Sequence, residues 1–324
     1  MAKSAKSIDA AVTKLESLRS QADANARVDA LTIALADTSN LIAGKAAKLA
    51  LDFKLSALAP QLAGAFTRFM RDSTKTDRGC VAKQAIAEAL YEFGANETDV
   101  FLAGARHVQL EGNFGPPVDA AIQLRAVCLL GLIHIGHPRQ LELLAEQLMD
   151  KESPVRLGAA RAAGYAGHDT AALLLRMKAL AGDAEPEVIA ECFSQLVRIQ
   201  PARSIEFLER FIESRDETIR QSALLAIGES HQPGALKLLT DRWAISFGAD
   251  DRAPLASAIA THRSNEAVQF LLERLEQSGP ELASSIVEAM QMYRRDESVR
   301  DRVKAIVDSR GDARLSAMFA RRFA

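Results

Sequence analysis

Aromatic side chains are scarce in this chain, 5% of 324 residues with a single tryptophan, so any interior has to be built mostly from alanine and leucine. The same scarcity argues against single-strand nucleic-acid binding, which relies on aromatic stacking platforms. Cysteine is rarer still. Cys80, Cys128 and Cys192 stand 48 and 64 residues apart, with no paired spacing that would hold zinc or build a disulfide framework. Free thiols at helical core positions suit a reducing compartment. The longest apolar run, Ala126 to Ile135, has ten residues and follows Arg125, which is too short to cross a bilayer. The opening residues are basic but carry no apolar run of the signal-peptide kind. A cytoplasmic protein with no membrane span is therefore expected. Charge of one sign is lacking too: 40 basic residues face 42 acidic ones, for a net charge of −2. Only Arg294 to Arg322 leans basic, with nine basic residues against five acidic, and it reads as the solvated face of the last helices. Phosphate contact needs lysine and arginine in excess, so nucleic acid is set aside as the leading partner.

What remains is abundant. Hydrophobic residues make up 48% of the chain, and the alanine and leucine that dominate them are strong helix formers that allow close helix packing. The length would ordinarily suggest two or three globular domains, but a repeat array evades that count because each unit buries its apolar face only against its neighbours. Residues 125–137 align with residues 156–168 at an offset of 31. The arginine column begun by Arg125 and Arg156 continues at Arg220 and Arg252 and skips Val188. An acidic residue precedes each unit in a turn: Asp119, Asp150, Asp183, Asp216 and Asp250. A period of 31–33 residues thus holds from about 117 to 295. Within it the pattern is helix, short turn, helix. Leu129, Leu132, Ile133 and Gly136 mark one buried face. Gly136 and Gly167 can close the first helices at positive φ. Pro138, Pro201 and Pro233 fall where second helices open, while Pro154 and Pro186 fall where the next first helices do.

The run from Asp150 through Pro154, Val155 and Arg156 to Gly164, and on to Gly167-His168-Asp169, resembles the HEAT-like repeat also found in phycobilin lyase subunits. The resemblance implies an all-α α-solenoid of antiparallel helix pairs, with second helices lining a concave face. Eight pairs are expected, their first helices starting near 39, 78, 117, 153, 185, 216, 250 and 279. Residues 1–38 would form N-terminal capping helices, 39–310 the repeat solenoid and 311–324 a C-terminal capping helix.

No catalytic constellation emerges, and nothing in the chain calls for a cofactor or a metal. His137, His168, His231 and His262 fall in turns about one repeat apart, too widely spaced for one metal ion. None is followed by glutamate, so the paired His-Glu motifs of HEAT-repeat diiron hydroxylases are absent. The Asp–Arg columns read as ties that fix the stacking of neighbouring repeats, with Val188 a unit that lacks one. Cys80 opens a helix between Arg78 and Lys83, where cations and a helix end could activate a thiol, but no histidine adjoins it in sequence. Trp243 is a candidate binding anchor on a second helix, with packing against Phe247 or a neighbouring helix as the alternative.

The most informative departure lies at 106–119. The arginine column predicts an equivalent near 94, and some ten extra residues precede the next first helix. Insertions in repeat proteins map to loops on one face, often the binding face. Arg106, His107, Gln109, Glu111, Asn113, Asp119 and Arg125 crowd this stretch and, if they converge, would form a mixed-charge pocket. The leading functional expectation is a non-enzymatic protein–protein interaction scaffold, binding a protein or peptide through its concave helical face and the 106–119 loop. A lyase or chaperone-like protein resembling the phycobilin lyase subunits is one alternative, and a nucleic-acid-binding HEAT-like protein is another. No small-molecule ligand is named by the sequence.

Overall fold

A computed structural model describes residues 4–112 and 115–324, and the chain divides into two compact units, Met1–Ala166 and Gly167–Ala324. The first unit runs α1 (Ala5–Glu16), α2 (Ala24–Leu35), α3 (Asn40–Asp52), α4 (Ala59–Met70), a single turn α5 (Ser73–Thr76), α6 (Val81–Glu92) and α7 (Thr98–Ala105). Two short strands follow, β1 (Leu110–Glu111) and β2 (Val118–Asp119), then α8 (Ile122–His134), α9 (Gln140–Leu148) and α10 (Ser153–Ala166). The second unit runs α11 (Asp169–Ala181), α12 (Pro186–Ile199), α13 (Pro201–Leu208), α14 (Glu217–Glu229) and α15 (Pro233–Ile245). It continues through α16 (Gly248–Thr261), α17 (Asn265–Gln277), α18 (Pro280–Met290), α19 (Glu297–Arg310) and α20 (Ala313–Arg322).

Both units are all-α solenoids of helix pairs. First helices α8, α10, α12, α14, α16 and α18 start 31, 33, 31, 31 and 32 residues apart, as the sequence period predicts. In the first unit α1, α3, α6, α8 and α10 form one packed row, with α2, α4 and α7 in a second. In the second unit α12, α14, α16, α18 and α20 form the corresponding row. The division between the units falls at Gly167, between the two helices of the fourth pair.

Local chemistry explains the boundaries. Asp23, Asp216, Ser264, Asp296 and Asp312 each accept backbone N–H groups with their side chains at the start of a helix. Proline opens α12, α13, α15 and α18, where its missing N–H costs nothing. Gly136 and Gly167 close their helices at φ 65°, a conformation that favours glycine. The row of first helices is lined by small residues: Ala43, Ala46, Ala47 and Ala50 on α3 and Ala82, Ala85 and Ala89 on α6 are all buried. Gly228 on α14 meets α16 so closely that an added methyl would lie 2.1 Å from the Ala258 carbonyl oxygen.

Two starts differ from the expected positions. Helix α6 begins at Val81 rather than 78, because Gly79 and Cys80 both hold positive φ, 72° and 57°. Helix α8 begins at Ile122 rather than 117, because β2 and the turn after it occupy 118–121. The two-rung antiparallel ladder pairs Leu110 with Asp119 and Glu111 with Val118. It is an addition to the helical plan, confined to the insertion.

Candidate functional site

The insertion's polar residues converge, and they do so inside the first unit. The site begins with Asp77, whose carboxylate accepts from the backbone N–H groups of Ala82 and Lys83, both at 2.9 Å, and so caps α6. Asn40 at the start of α3 donates to the same carboxylate at 3.1 Å. One turn into α6, the fully buried Lys83 ammonium lies 3.5 Å from Asp77 and donates to the Gln109 side-chain oxygen at 2.6 Å.

Gln109 is the hub. Its Nε2 donates to the Asp77 carbonyl at 2.8 Å and to the Glu111 carboxylate at 2.5 Å. Both partners can only accept, and Lys83 can only donate, so the amide orientation is fixed. The His107 Nε2, 3.1 Å from the same Oε1, must therefore be the protonated nitrogen of that ring. Gln109 also donates its own N–H to Asp119 at 3.0 Å and accepts from Ala120 at 2.8 Å. Every hydrogen-bonding position on this residue is used, and it is only 1% exposed.

Asp119 and Arg125 complete the network. The Asp119 carboxylate accepts from Ala121 N–H at 2.9 Å and from Arg125 Nη1 at 2.6 Å. Burial works to raise its pKa, but the N–H groups of Gln109 and Ala121 and the Arg125 guanidinium outweigh it, and the carboxyl sits below its usual range. Arg125 also donates to the His107 carbonyl at 2.8 Å, and its Nε lies 3.2 Å from Asp150 at the entrance to the next repeat. Burial holds His107 below the usual imidazole range, with the Gln109 contact opposing and Lys83 reinforcing that direction. Glu111 accepts from the Gly79 N–H at 2.9 Å, tying the hairpin to the turn before α6.

Of the residues singled out in the sequence, His107, Gln109, Glu111, Asp119 and Arg125 come together. Arg106 does not: it is exposed and pairs in two bonds, 3.0 and 2.8 Å, with Glu146 of α9. Asn113 lies outside the described residues. Trp243 is 4% exposed, packs edge-to-face on Phe270 at 5.6 Å, and carries the Arg252 guanidinium over its ring at 5.5 Å. Phe247 instead points outward at 81% exposure. Asp77 and Lys83 escaped the sequence reading. Their six-residue spacing repeats that of Asp119–Arg125 and Asp150–Arg156, so the column expected near 94 stands at Lys83.

The ties between repeats follow several designs. Arg156 donates to the carbonyls of Asp150 and Lys151 at 2.8 and 3.0 Å, and Arg220 to Ser214 at 2.9 Å. Where Val188 interrupts the column, Lys178 of the preceding helix reaches Asp183 at 2.7 Å. Neighbouring turn histidines come closer than one repeat spacing suggests. The rings of His231 and His262 lie 6.2 Å apart, with His262 held by the Gln232 carbonyl and Ser264. Among the described residues, no three histidine, cysteine or acidic side chains gather into a metal-holding group, and no helix is long and apolar enough to cross a membrane. Cys80, buried at the start of α6, has its thiol pushed up to about 12 by burial, which outweighs the nearby Lys83. It is not an activated nucleophile.

Paired helices in sequential rows, several of their turns tied by buried charge, define an α-solenoid. A family model described as HEAT repeats matches residues 173–260, and the chain carries HEAT repeats. Three solved structures resemble it. An engineered protein is 17% identical, with 97% of this chain and 93% of that one covered and a TM-score of 0.40. The complex of CpcE and CpcF of phycocyanin lyase from a Nostoc species is 14% identical over 76% and 91%, with a TM-score of 0.37. Human deoxyhypusine hydroxylase in complex with glycerol is 18% identical over 79% and 96%, with a TM-score of 0.32. At these scores none of the three bears on function. No curated protein matches the chain.

Proposed function

We propose that the protein is a non-enzymatic scaffold that docks a protein partner through the 106–119 hairpin and the helices beside it. In this reading the repeats of 39–310 form the platform, and residues 1–38 and 311–324 close its ends. The observation that carries it is the inverted polarity of the hairpin. Gln109 and Asp119 are buried, whereas Val108, Leu110 and Val118 are 48, 49 and 68% exposed. Large apolar side chains held outward by a buried polar anchor are suited to a protein interface, whose centre is apolar and depleted in charge. The anchor also lowers the ordering cost of binding, because the two paired strands, 110–111 and 118–119, are already held by Gln109, Glu111 and Asp119. Half-buried His107 and Glu111 and the exposed Arg106 supply polar contacts at the base of the hairpin.

The test compares the tagged full chain with its Leu110→Lys/Val118→Lys variant in extracts of the native organism, read by quantitative mass spectrometry. Both positions are exposed, so stability should change by no more than about 0.5 kcal/mol for each substitution. Proteins captured by the wild type should be lost from the variant at unchanged helicity. Capture of the same proteins in the same amounts would overturn the proposal.

A further inference from the structure

A second surface lies wholly within the second unit. Helices α14 and α16, with the end of α15 and one edge of α18, enclose a groove of about 770 Å³. That is within the range of roughly 300–1,000 Å³ over which pockets accept ligands. Its floor is apolar, formed by Ile212, Leu224 and Leu255, all buried. Two further apolar side chains in its lining are exposed, Leu225 at 38% and Ile245 at 62%.

The charge around this apolar strip is one-sided. Glu217, Asp250, Asp251 and Glu288 face the groove, against only Arg220 and Arg242. Both arginines are engaged, Arg220 with the Ser214 carbonyl at 2.9 Å and Arg242 with Glu213 at 2.5 Å. Glu288 is paired with Arg322, and Glu217 accepts from Gln221 at 2.8 Å. Asp250 and Asp251 are exposed, and among the described residues neither carboxylate has a hydrogen-bond or ion-pair partner. The backbone adds a further acceptor. Pro254 stands inside α16 and has no N–H, so the Asp250 carbonyl is left without its usual donor one turn on.

We infer that this groove binds a short cationic amphipathic segment of a partner protein. An apolar side chain of the segment covers Leu225 and Ile245, and a lysine or arginine meets the paired carboxylates of Asp250 and Asp251. Charge complementarity selects this occupant, because an acidic segment or a nucleic-acid backbone would meet the two unpartnered carboxylates and Glu217 against one arginine, Arg220, without a carboxylate partner. The site is independent of the hairpin, which belongs to the other unit.

The probe is a fluorescein-labelled peptide of leucine and lysine in amphipathic order, titrated with the full chain at low ionic strength and followed by anisotropy. Comparison peptides carry glutamate for lysine or serine for leucine. Asp250→Asn/Asp251→Asn should raise the Kd about fivefold or more, since two exposed charge pairs are lost. Ile245→Ser should weaken binding to a similar degree, and both comparison peptides should bind at least about tenfold more weakly. Glu266→Gln/Glu273→Gln makes the same charge change on exposed residues of α17 and should leave the Kd unaltered. Leu110→Lys/Val118→Lys should also leave it unaltered, which separates this site from the hairpin reading. Equal weakening by the α17 control, indifference to Ile245→Ser, loss of binding in the hairpin variant, or no binding by the wild type would each overturn the inference.

Discussion

Replacing Gln109 with alanine removes an amide that ties α6 and the turn before it to the hairpin, and the structure allows its cost to be worked out group by group. The Lys83 ammonium loses its shortest bond, 2.6 Å, and keeps only Asp77 at 3.5 Å and the Phe69 carbonyl at 3.4 Å. A hydrogen bond to a charged group contributes about 1.5–3 kcal/mol. The Asp77 carbonyl loses the Gln109 Nε2 donor at 2.8 Å but keeps the Cys80 N–H at 3.0 Å, a further cost of about 0.5–1.5 kcal/mol. Water entering the space left by the amide offsets part of this, and a net loss of about 2–4 kcal/mol is expected. Urea unfolding followed by circular dichroism measures the total, and hydrogen exchange across 77–125 locates it. The companion variant Lys83→Met removes the buried charge while nearly preserving volume. Since Lys83 and Gln109 share one bond, the double variant should lose about 1–3 kcal/mol less than the two single losses added together. A Gln109→Ala loss below about 1 kcal/mol, or strict additivity with Lys83→Met, would refute the view that the network is closed and dry.

Four further outcomes follow from the structure. With His107 held below its usual value, the unfolded chain binds the extra proton first. Stability is full above about pH 6.5 and declines as pH falls from there through the lowered value, a slope that His107→Gln should flatten in urea midpoints. A second loss, from Asp119, should set in below about pH 4, because its folded carboxyl titrates lower than its unfolded one. Gly228→Ala should cost about 1–3 kcal/mol by forcing α14 from α16, whereas Gly234→Ala, whose methyl meets open space, should be tolerated in the same thermal melts. All three cysteines are buried, with the thiols of Cys80 and Cys192 pushed up to about 12, so maleimide should label the protein only after unfolding.

The repeat was legible because its punctuation is chemical and local. Pro186 opens α12, Asp216 caps α14 and Gly136 closes the first helix of its pair, and each acts within a turn of its own position. Six of the eight expected first-helix starts fall within two residues of the observed ones. The two that missed, near 78 and 117, flank Gly79 and the hairpin, where tertiary contacts decide the backbone. The candidate site was legible as a place but not as an arrangement. Polar residues from 106 to 125 read as surface because their partners, Asp77 and Lys83, are distant in sequence and reside on another helix pair. Burial of a charge is set by what pairs with it, and the one local trace of that pairing, the six-residue spacing from Asp77 to Lys83, is masked because lysine stands in the arginine column. The exposed Leu110 and Val118 were hidden for the same reason, since a two-rung ladder is too short to show alternation.

Substitution at the interrupted column is a two-position matter. Position 188 holds a buried valine, and the cation that meets Asp183 arrives from the helix before it. Two positions on different helices therefore answer to one acidic residue, and neither can be read by itself. Lys178→Met would therefore take the cation from Asp183 without opening a cavity, whereas Val188→Arg would force a second cation into the space the valine now fills.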